Sequence, residues 1–461
     1  MDSEKPATSE AVAPLRGPKS LGLIATIKAI VDPKAILLDV AKDYGYTFTV
    51  PDKTNPAVIT GDPAVIKAVL TADAELFDVP YQEMLAPFLG ATSLILTSGP
   101  RHKKDRKLLA PAFHGARMKA YGSAIINATI ETFDKLAQQD SHTPFVMMKQ
   151  AQAVSLEVIL SAVFGIDASE QRAQFREAVI ALMDATSSPL IAALPALRRN
   201  FAGLGPWARF QRALKHFDKL LYELIAQRKA SSEPREDILS VLLGARYDDG
   251  APMTDQELRD QLHLLIFAGH DTTSTALAWA FYWIHQDPAV SEKLQAEVDS
   301  LGDSPAPEKI TALPYLEAVC QETLRIRPIA GNIARKLKAP FVLNGHTIEA
   351  NWVLSLSILL LHNREDLYPQ PEEFRPQRFI DRTFSPYEFL AFGGGSRRCL
   401  GAALAQYEMK LVIATVLSRY SLKLIDSGPV KVQNRGLTLA PKGGIRMSLT
   451  RRNSAATSAN T

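Results

Sequence analysis

The run Phe392-Gly393-Gly394-Gly395-Ser396-Arg397-Arg398-Cys399-Leu400-Gly401 constrains this chain more than any other stretch. Consecutive glycines let a backbone take positive φ and approach a bulky group closely. Cys399 is one of only two cysteines in 461 residues; it follows two arginines, and a long helical pattern begins behind it. Cationic neighbours and a helix N-terminus lower a thiol pKa. The sequence therefore predicts a thiolate on a glycine-lined bed, able to act as nucleophile or metal ligand. The competing reading is a free buried cysteine behind a Gly/Ser linker. No Lys-Ser/Thr pair follows the glycines, so a phosphate-binding loop is ruled out.

The longest helical pattern runs from Asp255 to about Asp287, with Thr254 as N-cap and Glu257 completing a capping box. Its middle is Phe267-Ala268-Gly269-His270-Asp271-Thr272-Thr273. A mid-helix glycine costs about 1 kcal/mol against alanine, and Asp-Thr-Thr competes for backbone hydrogen bonds. So many weak helix formers together predict a local defect with a purpose. His270 is a tempting metal ligand, but at about 100° per residue it points away from both Ala268 and Thr272. A polar neighbour is its expected partner. Two shorter helical patterns carry charge. In Gly99 to Leu109, His102 and Arg106 share a face at i,i+4, while Lys103, Lys104 and Lys107 read as a solvated basic face. In Tyr315 to Arg327, Glu322 and Arg325 pair at i,i+3, and Phe374-Arg375-Pro376-Gln377-Arg378-Phe379 follows about 50 residues later.

The chain is long enough for about three domains, yet no repeat or sharp change of composition divides it. Tyr46 to Thr60 alternates like a β-hairpin, Pro63 to Thr71 has helical spacing, and 145–235 reads as successive helices broken by a Pro/Gly-rich loop between Thr186 and Phe210. The expected fold is mainly α with a small β-rich lobe from residues near 46–60 and 335–355. It forms a single domain over 21–450, with residues 1–20 and 451–461 expected to be disordered. A net charge of +3 and the lack of finger or zipper spacing give no sign of nucleic-acid binding. The longest apolar run, Trp352 to Leu361, falls well short of the roughly 20 residues a membrane span needs. No signal peptide opens the chain, and two cysteines do not make a disulfide framework, so a cytoplasmic location is expected. Cys320, inside an apolar helical run, reads as inert core.

Taken together, Phe392-x-x-Gly395-x-Arg397-x-Cys399-x-Gly401, the Ala268-Gly269-x-Asp271-Thr272-Thr273 run, Glu322-x-x-Arg325, the Phe374–Phe379 stretch and His102-x-x-x-Arg106 resemble the motifs of the cytochrome P450 family, in the family's order, over about residues 46–440. The resemblance implies the cytochrome P450 fold and haem b as cofactor, with Cys399 as the axial thiolate of the iron. It implies that Phe392 packs beside the sulfur and that Gly401 lets the next helix start close to the porphyrin. By the same resemblance His102, Arg106, Arg335 and Arg397 hold the haem propionates. Ala268 and Gly269 would leave room above the iron, Thr272 would face the oxygen being activated, and Asp271 would relay protons from solvent. Glu322, Arg325 and Arg378 would form a buried charge network under the cysteine loop.

The expected substrate pocket is lined by Tyr81, Met84, Leu85 and Phe88 on one side, Phe267 and Ala268 above the iron, and Ile329, Ala330, Ile333, Leu437, Thr438 and Leu439 as the remaining walls. Such apolar walls favour an apolar small molecule, of fatty acid, terpenoid, steroid or polyketide class. The resemblance implies a monooxygenase of the soluble bacterial type, monomeric, that hydroxylates or epoxidises this substrate with O₂. About 60 residues follow Cys399, so no fused reductase is expected, and electrons would come from a ferredoxin or flavodoxin and its reductase. The basic residues Lys103, Lys104 and Lys107 would steer an acidic carrier. A peroxide-driven oxygenase on the same fold and a non-catalytic haem sensor are the rival readings. Arg198 or Arg199 reads as a surface residue, with capture of a substrate carboxylate as its alternative role.

Overall fold

The computed structural model describes residues 15–19, 32–51, 56–113, 117–139, 143–186, 198, 204–231, 233–302, 305–426, 428–436 and 438–452. Period-2 patterns near the N-terminus and after residue 330 meet in one sheet. Its order is β1 (Thr47–Val50), β2 (Ala57–Thr60), β8 (Val353–Ser357), β5 (Asn332–Leu337) and β3 (Phe77–Asp78). β1 and β2 form the expected hairpin with Phe48 opposite Ile59, β2 runs parallel to β8, and β5 is antiparallel to both β8 and β3. Alternation along β5 sets the use of its two faces. Arg335 and Leu337 are buried, and Asn332 is exposed. The helix Pro63–Thr71 packs Val65, Ile66 and Val69 beneath this sheet and closes a small core with Val58, Leu354 and Leu356.

The larger core is helical. The helices that build the site are α1 (Gln82–Leu89), α2 (Gly99–Leu109), α3 (Arg117–Ala137), α4 (Met147–Val158), α5 (Pro206–Ala230), α6 (Asp255–Gln286), α7 (Pro314–Ile326) and α8 (Ala402–Arg419). The remaining strands are β4 (Phe145–Val146), β9 (Tyr420–Leu424) and β12 (Arg446–Arg451) in one sheet, and the hairpins β6 (Phe341–Leu343) with β7 (His346–Ile348) and β10 (Val432–Arg435) with β11 (Thr438–Pro441). The long helix α6 is the axis of the molecule. Its start is fixed by the capping box read from sequence: Thr254 Oγ1 accepts from Glu257 N at 3.2 Å, and Glu257 Oε2 accepts from Thr254 N at 2.8 Å. Its later half, Thr273 to Tyr282, is buried without a break. α4, α7 and α8 pack around it.

Several expectations need adjusting. The defect expected in the middle of α6 does not break the helix. Instead the hydroxyls of Thr272, Ser274 and Thr275 donate back to the carbonyls of Ala268, His270 and Asp271 one turn earlier. The irregularity lies next door: α4 continues as a π-helical turn, Ile159–Val163. Of the tail expected from residue 451, Arg451 ends β12 and pairs with Asp134 at 2.7 Å, and Arg452 pairs with Asp299 at 2.8 Å. The rest of that tail, residues 1–14, most of the 186–210 loop, Arg199 and Leu437 lie outside the described residues. Among the described residues, no helix is long and apolar enough to cross a membrane.

Candidate active site

The loop before α8 is shaped by its glycines against the end of the Pro63–Thr71 helix. Gly393 and Gly395 sit at φ +68° and +63°, and a Cβ on Gly395 would stand 2.6 Å from the Leu70 carbonyl oxygen. Cys399 N donates to the Phe392 carbonyl at 2.8 Å and closes the loop, which presents the sulfur at an accessible surface. The thiol pKa departs from the sequence expectation. Burial raises it, and the Gly401 N–H, Arg398 and Arg106 pull it down without prevailing. A bound cation is what deprotonates a thiol in such a setting. Cys320 is fully buried, and burial raises its thiol far above the usual range. That leaves it chemically inert.

On one side of this loop four basic groups converge. Burial, then Arg397, Arg106 and Arg335, push His102 down to about 4. Arg335, on β5, is pushed down to about 10 by burial and by Arg397. Arg397 donates to the carbonyls of Ile95 and Thr97, and burial lowers its pKa while Asp78 opposes the shift. Arg106 is also lowered, again by burial. Among the described residues no salt bridge compensates Arg106, Arg335 or Arg397, which is costly unless an anion completes the site. A cofactor carrying carboxylates fits this cluster, and a metal that needs a sulfur ligand fits Cys399.

α6 packs against α8, the helix that follows the loop. Ala268 is exposed in a helix that is otherwise largely buried, with Phe267 half-buried beside it and edge-on to His263 at 5.0 Å. Gly269 does not share that open side. A Cβ there would stand 3.6 Å from Ile159, so the glycine faces the π-helical turn. Thr272 is half-buried. Asp271 is gripped from other elements: Thr438 Oγ1 donates to its Oδ2 at 3.0 Å, and Arg435 Nε lies 3.5 Å from Oδ1. His270 Nδ1 is buried without a hydrogen-bond partner among the described residues, and burial pushes the ring down to about 4. The polar neighbour expected for it does not reach that nitrogen.

Under the loop, Glu322 and Arg325 of α7 are fully buried and paired at 2.6 Å, and Arg378 Nε reaches Glu322 at 3.2 Å. The link to the loop runs through a residue the motifs do not mark. His362 Nδ1 lies 3.2 Å from the Arg325 carbonyl, its Nε2 accepts from Leu390 N at 3.0 Å, and its ring stacks on Phe389. A second unmarked group is Glu408 on α8. It is wholly buried beside Ser155, its Oε1 has no partner among the described residues, and burial pushes it up to about 8.

The expected pocket walls assemble in part. Leu439 N donates to the Ile329 carbonyl at 2.9 Å, Ala330 is exposed, and Ile333 lies 3.2 Å from a Cβ position on Gly393. Thr438, expected as a wall, instead turns its hydroxyl to Asp271 and is buried. Tyr81 and Met84 stand on the surface and Leu85 is half-buried, while Phe88 packs on Trp207 and Phe210 of α5. Arg198 donates to the Met84 carbonyl at 3.0 Å and lies over the Phe88 ring, so it ties to α1.

The family profile described as Cytochrome P450 matches residues 16–447. This chain belongs to the cytochrome P450 family. Cytochrome P450 138 of Mycobacterium tuberculosis is similar at 31% identity, over 95% of this chain and 96% of its own length. Cytochrome P450 135B1 of Mycobacterium bovis is similar at 33% identity, over 94% and 90%. A solved structure described as retinoic acid bound cyanobacterial CYP120A1 superposes with a TM-score of 0.79 at 23% identity, covering 95% of this chain and 98% of that one, which is a likeness of fold. The cofactor of the family is haem b, and the enzyme is a haem monooxygenase.

Proposed function

We propose that this cytochrome P450 hydroxylates or epoxidises an apolar small molecule with O₂ and electrons from a separate ferredoxin or flavodoxin and its reductase. The reading assigns Cys399 to the iron and His102, Arg106, Arg335 and Arg397 to the two propionates, with Phe392 and Gly401 flanking the porphyrin on the sulfur side. The uncompensated basic cluster beside an accessible cysteine is the observation that carries it. When bound, the haem supplies the oxidising chemistry, converting substrate C–H, O₂, two electrons and two protons to C–OH and water.

The chain's own residues have three tasks. Asp271 and Thr272 on α6 deliver protons one at a time; general acids in such positions contribute roughly 10²–10⁴ in rate. The exposed Ala268 leaves space for substrate, and Phe267, Ile329, Ile333 and Leu439 give it an apolar boundary. The Glu322–Arg325–Arg378 network holds the loop in place. An intact acid–alcohol pair favours O₂ over peroxide as oxidant. The test is reduction under carbon monoxide: folded holoenzyme should show the strongly red-shifted absorption of a thiolate-ligated ferrous carbonyl, and its absence would remove the assignment. Substrate class is then read from spin-state shifts against fatty acids, terpenoids, steroids and polyketides. Retinoic acid, which the cyanobacterial neighbour binds, belongs in that panel as one arm.

A further inference from the structure

Asp271 is held by a hairpin that also bonds to Ile329, one of the residues assigned above to the substrate boundary. Arg435 and Thr438 are register partners at the closed end of β10–β11, flanking Gly436 at φ +60°. Both reach Asp271, at 3.5 and 3.0 Å. One residue further on, Leu439 is fixed to the opposite side of the site: its N–H donates to Ile329, its carbonyl accepts from Trp279 Nε1 at 3.1 Å, and its side chain lies against Gly331. Three residues of one hairpin thus link the proton-handling acid to the substrate boundary.

The grip has a built-in alternative. A threonine hydroxyl has a single proton to donate, and Thr438 Oγ1 has two acceptors in reach, Asp271 Oδ2 at 3.0 Å and the Arg435 carbonyl at 2.9 Å. Donating to the first holds the acid; donating to the second closes the hairpin on itself. Arg435 has a second anchor besides Asp271. With the Gln152 amide turned to present its oxygen, the guanidinium donates to it at 3.1 and 3.0 Å. The Thr438 donor can therefore leave the carboxylate without losing a partner, and two of the Arg435 donors stay anchored on Gln152 while its Nε gives up Asp271. Arg435 is the one charged side chain facing Asp271 among the described residues, His270 being neutral.

We propose that Arg435 and Thr438 form a clasp on Asp271, and that an apolar ligand pressing on Leu439 opens it, so that the relay is freed only when the pocket is filled. Arg435 and Thr438 are positioning residues; the inference rests on the reading of Asp271 as the proton relay. Opening must then draw on ligand affinity, and linkage requires that breaking the clasp returns it. The probe is clotrimazole, a bulky apolar azole whose nitrogen takes the iron and whose rings fill the space above it, titrated into holoenzyme by its absorption shift. Arg435→Gln should bind it about three- to tenfold tighter, and Thr438→Val should do the same if Arg435→Gln folds poorly. Asp271→Asn should also bind tighter, and the Asp271→Asn/Arg435→Gln double variant should gain nothing beyond either single one.

Unchanged or weaker binding in the clasp variants, or additive gains in the double, would overturn the clasp. Failure of the wild-type enzyme to bind any azole would instead remove the haem pocket beneath it. Product formation by Asp271→Asn at the wild-type rate would refute the relay reading and leave the affinity result standing.

Discussion

Replacing Glu322 by alanine removes the counter-charge of a guanidinium that solvent cannot reach. The Glu322 carboxylate accepts from Arg325 Nε at 2.6 Å, Arg325 Nη2 at 2.8 Å, the Arg375 backbone N–H at 2.9 Å and Arg378 Nε at 3.2 Å. In Glu322→Ala, Arg325 keeps the carbonyls of His362 and Glu373, at 2.9 and 3.2 Å, but has no anion. Breaking one side of a buried pair costs about 3–5 kcal/mol, a large part of a typical domain stability of ~5–15 kcal/mol. The strain lands on the cysteine loop, because Arg325 holds His362 and His362 holds Leu390. An internal control is Lys34–Glu372, paired at 2.7 Å on the surface, where Glu372→Ala should cost about 0–1 kcal/mol. Urea titration of both variants, with haem content read from absorbance, gives the comparison. Glu322→Ala with full haem occupancy and a midpoint no lower than that of Glu372→Ala would refute the scaffold argument.

Three further outcomes are expected. Asp271→Asn should slow product formation by roughly 10²–10⁴ while leaving haem binding intact, measured with a surrogate ferredoxin system. Glu408 is raised by burial to about 8, against an ordinary value near 4.5, so the folded state holds a proton there that the unfolded chain releases. Its contribution is complete below about pH 4.5 and is lost as pH rises towards 8, at about 1.4 kcal/mol per pH unit. Denaturation of Glu408→Gln across that range should show a flatter dependence than wild type, and parallel curves would exclude the effect. Lys103 and Lys104 are exposed, whereas Lys107 is engaged by Asp248 at 2.6 Å. Charge reversal at Lys103 and Lys104 should therefore slow reduction by an acidic ferredoxin and weaken its salt dependence, and reversal at Lys107 should matter less.

Features whose cause lies within one or two helical turns were legible in the sequence. The capping box at Thr254 and Glu257, the shared face of His102 and Arg106, and the pairing of Glu322 with Arg325 are local geometry, and the structure places each where periodicity puts it. Partners far apart in sequence were not legible. Thr438 meets Asp271 across 167 residues and Arg325 reaches the His362 carbonyl across 37, and no spacing rule links such positions. By its place after the turn at 434–436 Thr438 reads as pocket wall; in β11 its hydroxyl goes to Asp271. Glu408 gave no signal for the same reason. A lone carboxylate on α8 looks like a solvated charge until α4 brings Ser155 against it and excludes water.

Cys399 shows why the sign of an electrostatic effect, as well as its size, can escape a sequence. Counting charges near the thiol finds two adjacent arginines and a following helix, all of which favour thiolate. Desolvation is invisible to that count, and in the folded chain it outweighs Arg398, Arg106 and the Gly401 N–H together. The same burial depresses Arg335 and His102 a short distance away. Protein atoms alone thus leave a cationic cluster short of anions and an accessible thiol whose pKa the surrounding protein raises. On the proposed assignment, iron and two propionates would resolve both at once: the metal would take the sulfur as thiolate, and the carboxylates would balance the cluster. The two unfavourable terms, each costly alone, are complementary to one ligand, and that is the physical sense in which this fold is built around its haem.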